Sequence, residues 1–373
     1  MAGQQASSPN PLPPEATGSA PSTQSVVFKV LSAMLTGALL VLIAFYLVPK
    51  LAGYASVGNA LKGMTVPELL ILLVGGIAVM TLNAAAMKTP LHELSLRRAF
   101  VAQQASTAVS NVIPGPSGTA ARFAILHSWK VSVEDFTRAT FAVSVWSNAA
   151  MISMPGIAFL ILALMEGSTY DGKNLYVLAG ITFLVSLAVV ALVVGLLRSV
   201  PFTRFLGRLT ARLVNPLRKL FRRQSLAGLE DQAELLRQRT LDVLRDRGGR
   251  LTTITLGNYW LNGLLLVLSL WFVGISDDEL PLIVGLATYS VGRLSTIIQV
   301  TPGGVGVVEI AYTAVFVAVL GESSHDNIVT GVLVYRLLTY VMPIVVGGAC
   351  YVIWRRMQAH SHGSGPKSAV APT

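Results

Sequence analysis

The stretch QVTPGGVGVVEIAYTAVF, Gln299–Phe316, combines helix-breaking residues with a carboxylate inside an apolar segment. Pro302 removes a backbone N–H and interrupts helical hydrogen bonding, and the three glycines that follow it permit tight turns. Glu309 then returns a charge to the apolar run. Broken backbone is tolerated at membrane depth only where protein or a water-filled cavity satisfies its polar groups. The stretch therefore predicts an interrupted helix that borders a cavity.

The composition of the whole chain is typical of a membrane protein. Of its 373 residues, 53% are hydrophobic and only 12% are charged, whereas soluble domains have about 25% charged residues. A helix needs ~20 apolar residues to cross a bilayer core. We predict six such spans: Val26–Val48, Val66–Met87, Thr140–Leu164, Asn174–Leu197, Leu251–Ile275 and Asn327–Trp354. Four aromatic residues fit the belts found at membrane surfaces: Tyr259, Trp260, Trp271 and Trp354.

The two ends of the chain differ from this apolar body. Residues 1–25 and 357–373 are rich in small and polar residues, which predicts disordered tails around a transmembrane domain at 26–356. Cys350 is the single cysteine, and the five histidines are scattered. The sequence thus offers no disulfide framework, metal site or cofactor motif.

Most of the net charge of +10 lies in one segment. Between Arg198 and Arg250, 13 Arg and Lys residues stand against five acidic ones, a net charge of +8. The positive-inside tendency predicts that this segment and both termini are cytoplasmic, in a bacterial-type inner membrane. Residues 201–223 have apolar residues at helical spacing, which predicts a basic amphipathic helix on anionic inner-leaflet lipids. A simple orientation anchor explains the same charge, and no nucleic-acid-binding motif accompanies it.

The helix-breaking motif P-G-x-x-G occurs twice, at Pro114–Gly118 and Pro302–Gly306, which are 188 residues apart. The same offset relates Met154-Pro155 to Met342-Pro343. We predict two copies of one unit, each consisting of a span, a broken hairpin and a second span. The copies cover about 66–166 and 254–354, and a connector span and the basic segment occupy 174–250.

The number of crossings predicts how the two copies are oriented. A hairpin returns to its starting side, and three single spans separate the two hairpins, so the hairpins should enter from opposite sides. The predicted fold is an all-α polytopic integral membrane protein with six spans and two broken, re-entrant hairpins in an inverted repeat. Secondary transporters commonly have this arrangement. The helix that restarts after Gly306 would direct its N-terminus at the cavity and favour an anion there.

Four ionisable residues lie in or beside these elements: Arg122, Arg293, Glu309 and Arg336. A charge at the centre of a membrane helix costs ~2.5–3.5 kcal/mol on insertion scales, so such residues usually face a cavity or a partner. Facing inward together, they would form a site for a lipid phosphate. Alternatively, Arg122 reaches for the membrane surface, and Glu309 and Arg336 form a purely structural ion pair. The breaker residues complete the predicted substrate-binding set: Pro114, Gly115, Gly118, Pro302, Gly303, Gly304 and Gly306.

The segments TPGGVGVVEIAYTAVF and GVLVYRLLTYVMPIVVGG resemble the flippase-like family that forms the transmembrane part of lysylphosphatidylglycerol synthetases and includes stand-alone proteins. The resemblance extends over about 26–356, and its most specific pieces are Pro302–Glu309 and Tyr335-Arg336. It implies that the domain moves a charged or lipid-linked headgroup between leaflets. The first copy departs from this pattern, with Trp146–Asn148 and no counterpart of Tyr335-Arg336. We expect no lysyl transfer, because no soluble domain that could bind an aminoacyl-tRNA is evident.

We therefore expect a transporter-like protein that moves a phospholipid or lipid-linked headgroup by alternating access at a midplane cavity. Its partners would be membrane lipids, and we expect no enzymatic activity. One alternative is a membrane enzyme that transfers a headgroup or sugar to a lipid, which would need paired carboxylates or a metal cluster. Another is a non-transporting membrane partner in cell-envelope assembly.

Overall fold

The computed structural model describes residues 54–113, 115–166, 172–220, 229–297 and 301–363, and this part of the chain is α-helical without strands. The helices are α1 (Tyr54–Gly63), α2 (Val66–Lys88), α3 (Leu96–Val112), α4 (Ser117–Ser128), α5 (Val133–Glu166), α6 (Gly172–Arg198), α7 (Val200–Leu220), α8 (Leu229–Phe272), α9 (Leu282–Arg293), α10 (Val307–Leu320), α11 (His325–Arg336) and α12 (Met342–Gly363). The predicted tail 1–25 and the predicted span Val26–Val48 lie outside the described residues.

Five helical segments of the described ranges are long and apolar enough to cross a membrane. They are Val66–Lys88, Val133–Met165, Gly180–Arg198, Thr240–Phe272 and Glu322–Gln358. Each overlaps one predicted span, so the prediction of an all-helical, multi-pass membrane protein is confirmed. Large apolar side chains such as Leu70, Val74 and Leu184 point away from the bundle, as expected where the surrounding medium is lipid.

The basic and the acidic loops lie at opposite ends of the helix bundle. At one end, the Oγ of Ser128 after α4 accepts hydrogen bonds from Trp354 and Gln358 of α12. Arg247 of α8 donates to the carbonyl of Thr89 after α2 at 3.0 Å. These contacts bring together the ends of α2, α4 and α12 and the polar part of α8. We term this side of the bundle the basic end. At the acidic end, Gly274 lies close to Asn327, and the loops there contain Asp277, Asp278, Glu279 and Glu322.

The basic segment between Arg198 and Arg250 contains more helix than its sequence predicts. Helix α7 covers most of the predicted amphipathic segment 201–223. Residues 221–223 lie outside the described ranges. Helix α8 is one continuous helix that begins 22 residues before Leu251, so most of the predicted span Leu251–Ile275 is the second part of a longer helix. Arg237 of α8 pairs with Glu234 at 2.8 Å and donates to the carbonyl of Leu197 at 2.8 Å, which joins α8 to the end of α6.

Both predicted breaker motifs interrupt helices. Helix α3 ends at Val112 and α4 begins at Ser117, while α9 ends at Arg293 and α10 begins at Val307 after a 3₁₀ turn at Pro302–Gly304. At 1.5 Å per residue, the longest of these four helices, α3 with its 17 residues, is shorter than a hydrocarbon core of ~30 Å. None of them is long enough to cross the core by itself.

The last predicted span, Asn327–Trp354, contains an irregularity that the sequence did not predict. A π-helical turn at Leu337–Val341 joins α11 to α12. Such turns insert an extra residue into a helix and are frequent at functional sites. Helix α12 continues to Gly363, past the predicted boundary at residue 356, and the remainder of the predicted tail lies outside the described residues.

Candidate functional site

A polar cavity of about 520 Å³ lies between the two helix interruptions. Its walls come from α2, α3, α4, α5, α8, α9 and α11 and from the turn before α10. Arg122, Arg293 and Arg336 all line it. The structure thus brings together three of the four predicted charged residues, although they lie in three different helices.

Glu309, the fourth predicted residue, reaches the cavity only through Arg336. Its Oε1 accepts a hydrogen bond of 2.6 Å from the Nε of Arg336, and its Oε2 accepts one of 2.7 Å from the N–H of Gly306. The Nη2 of Arg336 donates to the carbonyl of Gly303 at 2.9 Å. Both charged side chains are about nine-tenths buried, at 9% and 11% exposure. The pair therefore fastens the start of α10 and the preceding turn to α11.

Arg293 lines the cavity and has an N–H group that makes no hydrogen bond to the described residues. Its guanidinium lies 5.6 Å from the ring centroid of Tyr259, and its Nε is buried without a hydrogen bond to any described residue. Tyr289 and Tyr312 stack below it with centroids 5.6 Å apart. The prediction that Tyr259 belongs to an interfacial belt is wrong, because it is buried and its hydroxyl donates to the carbonyl of Ser147 at 2.9 Å.

Arg122 is held inside the bundle by contacts between α3 and α4. We call α3 with α4, and α9 with α10, the two interrupted pairs. Its Nε and Nη2 each lie 3.3 Å from the Oγ of Ser106 on α3. Ser106 in turn donates to the carbonyl of Gly118 at 2.7 Å. A Cβ at Gly118 would collide with Ser110 and with the backbone of α3, so this glycine lets α3 and α4 approach closely. Arg122 therefore faces the cavity, and the alternative that it merely reaches for the membrane surface does not describe its position.

The remaining breaker residues have different positions. Gly115, Gly303 and Gly304 line the cavity with φ of 84°, 60° and 68°, a region that favours glycine. Gly306, with φ of 86°, supplies the N–H that Glu309 binds. Pro302 begins the 3₁₀ turn. Pro114 lies outside the described residues.

Tyr340, in the π turn, connects the two interruptions and was not predicted. Its hydroxyl donates to the carbonyl of Asn111 at 3.0 Å, and the ring lies 4.7 Å from the guanidinium of Arg336. A Cβ at Gly303 would overlap this ring. The end of α3 and the turn before α10 therefore meet at one aromatic side chain.

A smaller cavity of about 130 Å³ adjoins the first, and Asn83, Arg293 and Arg336 line both. Uncharged polar side chains dominate its wall. Asn258 donates to Asn83 at 3.1 Å, and the hydroxyl of Tyr335 donates to Asn262 at 3.2 Å. These residues were not predicted, although amides inside apolar spans were a usable signal. Arg293 and Arg336 thus stand between two polar spaces.

Guanidinium, amide and hydroxyl groups form the polar lining of the cavity among the described residues. No Asp or Glu is among the described residues that line it. Within the part of the chain that the structure describes, no group of three His, Cys, Asp or Glu could hold a metal ion. Its chemistry is that of guanidinium, amide and hydroxyl groups, which bind anions and polar headgroups.

Comparison with known proteins agrees with this architecture. No curated protein sequence matches the chain. The sequence pattern of the family described as "Lysylphosphatidylglycerol synthase TM region" matches residues 22–347. The matched range includes both helix interruptions, all three cavity arginines and the Arg336–Glu309 pair. The chain therefore belongs to the family of the lysylphosphatidylglycerol synthase transmembrane region.

Proposed function

We propose that the protein moves a lipid with an anionic, phosphate-bearing headgroup between the two leaflets, and that it does so without chemical change to the lipid. The observation on which this depends is the convergence of Arg122, Arg293 and Arg336 on one polar cavity, with Glu309 as their near neighbour. Membership of a lipid-related membrane family is consistent with a lipid partner.

The arginines have different roles in this proposal. Arg336 already binds Glu309 and the carbonyl of Gly303, so it positions the turn beside the site. Within the described ranges, the Nε of Arg293 has no hydrogen-bond partner, and Arg122 contacts the neutral side chains of Ser106 and Met87. Guanidinium groups bind phosphate oxygens in a planar, often bidentate geometry. Arg122 and Arg293 are therefore the residues that would hold the phosphate.

We infer that the finer architecture is an inverted repeat. Shifting the first copy by 188 residues moves α3 onto 284–300 and α4 onto 305–316, which overlap α9 and α10. The contacts repeat as well, because α3 packs against α12 and α9 packs against α5. Each interrupted pair thus packs on the last helix of the other copy, as expected for units related by a twofold axis.

We propose that the two interrupted pairs are re-entrant hairpins, and the positions of their helix ends support this. Leu96 and Ser128, the outer ends of α3 and α4, belong to the basic end, whereas Leu282 and Leu320 adjoin the acidic loops. The inner ends meet at Tyr340. Two hairpins that enter from opposite faces and touch at their tips account for this pattern. With Val26–Val48 as a further span, the full chain would have six crossings.

The two adjoining cavities support alternating access. The larger and smaller spaces are divided by Arg293 and Arg336. A rocking motion of one copy against the other would break the contact between Tyr340 and Asn111 and would expose the arginines to each space in turn. The acyl or prenyl tail would remain in the bilayer throughout.

The proposed orientation places the basic end and both termini in the cytoplasm of a bacterial-type cell, because that end collects the Arg and Lys residues. Helix α7 has Phe205 and Leu209 exposed beside its arginines. Such a helix suits the anionic inner leaflet.

Transbilayer movement in reconstituted vesicles tests this function. Vesicles would contain fluorescent phosphatidate, phosphatidylglycerol or phosphatidylcholine, and the protein should accelerate the movement of the two anionic lipids. Arg122→Gln and Arg293→Gln should each slow it about tenfold or more, because each removes a charged hydrogen-bond donor. Arg97→Gln, an exposed residue of α3 outside the cavity, is the matched control. Undiminished movement in both cavity variants, or lipids recovered with altered masses, would overturn the proposal.

A further inference from the structure

A second pocket, of about 350 Å³, lies at the basic end, away from the central cavity. It is formed by the loop between α2 and α3 and by the loop between α4 and α5. Arg98, Lys130 and Arg138 line it together with Trp129. None of these residues lines the central cavity, so the pocket is a separate feature of the fold.

The cations of this pocket are ordered by neighbours that leave donors available. The guanidinium of Arg98 lies 5.7 Å from the ring centroid of Trp129, which holds it in place without consuming its N–H groups. Arg138 binds Asp135 through Nη2 at 2.9 Å, while its Nε is buried without a hydrogen bond to any residue in the described ranges. Among the described residues, the guanidinium of Arg98 is thus held by an aromatic ring and that of Arg138 by one carboxylate.

Lys130 has an unusual backbone conformation at the rim of this pocket. With φ of 68°, it is the one non-glycine residue of the described ranges in the left-handed region. Its N–H donates to the carbonyl of His127 at 2.9 Å, and the N–H of Val131 donates to that of Leu126 at 3.2 Å, which closes the end of α4. Glycine is the usual residue at such a position. A lysine there accepts an unfavourable conformation and places an ammonium group at the pocket.

Two helix N-termini flank the pocket and add to its positive potential. Ser95 caps α3 by accepting from the N–H of Arg98 at 3.3 Å, and Ser132 accepts from the N–H of Asp135 at 3.0 Å at the start of α5. The first turns of both helices have partial positive charge. The pocket lining has three cations against the two carboxylates of Glu93 and Asp135, so its formal charge is positive.

We propose that this pocket binds a phosphate group, either on the headgroup of a lipid in the adjacent leaflet or on a small soluble compound. Arg98, Lys130 and the guanidinium of Arg138 are the donors, and Trp129 with Leu91 and Leu94 forms the apolar wall beside them. Phosphate binding here does not depend on transport at the central cavity. A bound phosphate would connect the outer ends of α3 and α4 to α5.

Binding to the full chain in neutral nanodiscs tests the proposal. The soluble probes are inorganic phosphate and glycerol 3-phosphate, and the lipid probe is phosphatidate incorporated into the nanodisc, with nanodiscs of phosphatidylcholine alone for comparison. Binding of the soluble probes identifies a soluble phosphate source, and binding of phosphatidate without them identifies a lipid source. Either result supports the site if it depends on the pocket residues.

Two substitutions test whether binding depends on the pocket residues while the protein stays folded. Lys130→Gly removes the ammonium group and introduces the residue that the backbone conformation favours, so its thermal stability should not fall. Lys130→Gly and Arg98→Gln should each raise the Kd about tenfold, since each removes a charged donor. Arg97→Gln removes the same charge outside the pocket and should leave the Kd within about twofold. An unchanged Kd in both pocket variants, no binding of any probe, or binding abolished only by Arg293→Gln would overturn the proposal.

Discussion

The Nε of Arg336 donates a hydrogen bond of 2.6 Å to Glu309, whose other oxygen accepts from the N–H of Gly306. One carboxylate thus completes the start of α10 and neutralises a buried cation on α11. A charge within the membrane is costly unless it has a partner, so this contact decides whether the broken helix is stable. Among the described residues, the other two cavity arginines, Arg122 and Arg293, have no acidic partner at hydrogen-bond distance.

Glu309→Gln should destabilise the folded protein by about 3 kcal/mol, because it leaves Arg336 buried without its counter-charge. Chemical denaturation in micelles measures the loss. In the double variant Glu309→Gln/Arg336→Met, the unpaired charge is absent, so part of the stability should return. A double variant that loses the full sum of the two single effects would show that the residues act independently.

Gly303→Ala and Gly115→Ala form a matched pair. Both glycines have positive φ, but a Cβ at Gly303 would overlap the ring of Tyr340, whereas a Cβ at Gly115 would meet no atom of the described residues outside its chain neighbours within 4 Å. We expect Gly115→Ala to cost about 1 kcal/mol from backbone conformation and Gly303→Ala to cost about 1–3 kcal/mol more from overpacking. Denaturation midpoints provide the comparison, and equal losses would contradict the close contact at Tyr340.

The pair of Glu234 and Arg237 predicts a dependence of stability on pH. The hydrogen bond from Arg237 lowers the pKa of Glu234 from its usual value of 4.5. A carboxyl whose pKa is lower in the folded state stabilises the protein above its unfolded pKa and loses that effect as the pH falls through its folded pKa. The advantage of the natural protein over Glu234→Gln should therefore be larger at neutral pH than at a pH below 4.5.

Thermal unfolding of both proteins at the two pH values provides this measurement. Asp231→Asn, an exposed change on the same helix, serves as the control for general charge effects. A stability difference between the natural protein and Glu234→Gln that does not change with pH would contradict the role given to Arg237.

The charge of the cavity predicts selectivity against cationic headgroups. Three arginines and one carboxylate leave a net positive site, and like charges repel more strongly inside a protein than in bulk water. A phospholipid with an aminoacylated, cationic headgroup should compete with fluorescent phosphatidylglycerol about tenfold less well than unlabelled phosphatidylglycerol does. Competition in the vesicle assay measures this ratio, and equal competition would contradict an anion-selective site.

Much of the site could be predicted from the sequence because its main features are rare in membrane segments. Proline and glycine clusters interrupt helices by local geometry, and arginines inside apolar runs require a polar environment. These rules predicted both interruptions and the residues Arg122, Arg293 and Arg336. They needed no knowledge of which helices are neighbours.

The features that were missed depend on tertiary packing. Tyr259 has the local sequence of an interfacial aromatic residue, and only its neighbours Arg293 and Ser147 make it part of the cavity wall. The contact between Tyr340 and Asn111 joins residues far apart in the chain through a π turn that no local pattern specifies. The continuity of α8 was missed because its polar first half resembles a loop in composition.

The central claim is that Arg122 and Arg293 hold an anionic lipid headgroup in the cavity, and native mass spectrometry of the gently extracted protein tests it most directly. We predict that the natural protein and Arg97→Gln retain an anionic phospholipid or lipid phosphate, and that the double variant Arg122→Gln/Arg293→Gln releases it. Retention of the same lipid by the double variant, or retention of zwitterionic lipids in equal amount by the natural protein, would contradict the claim.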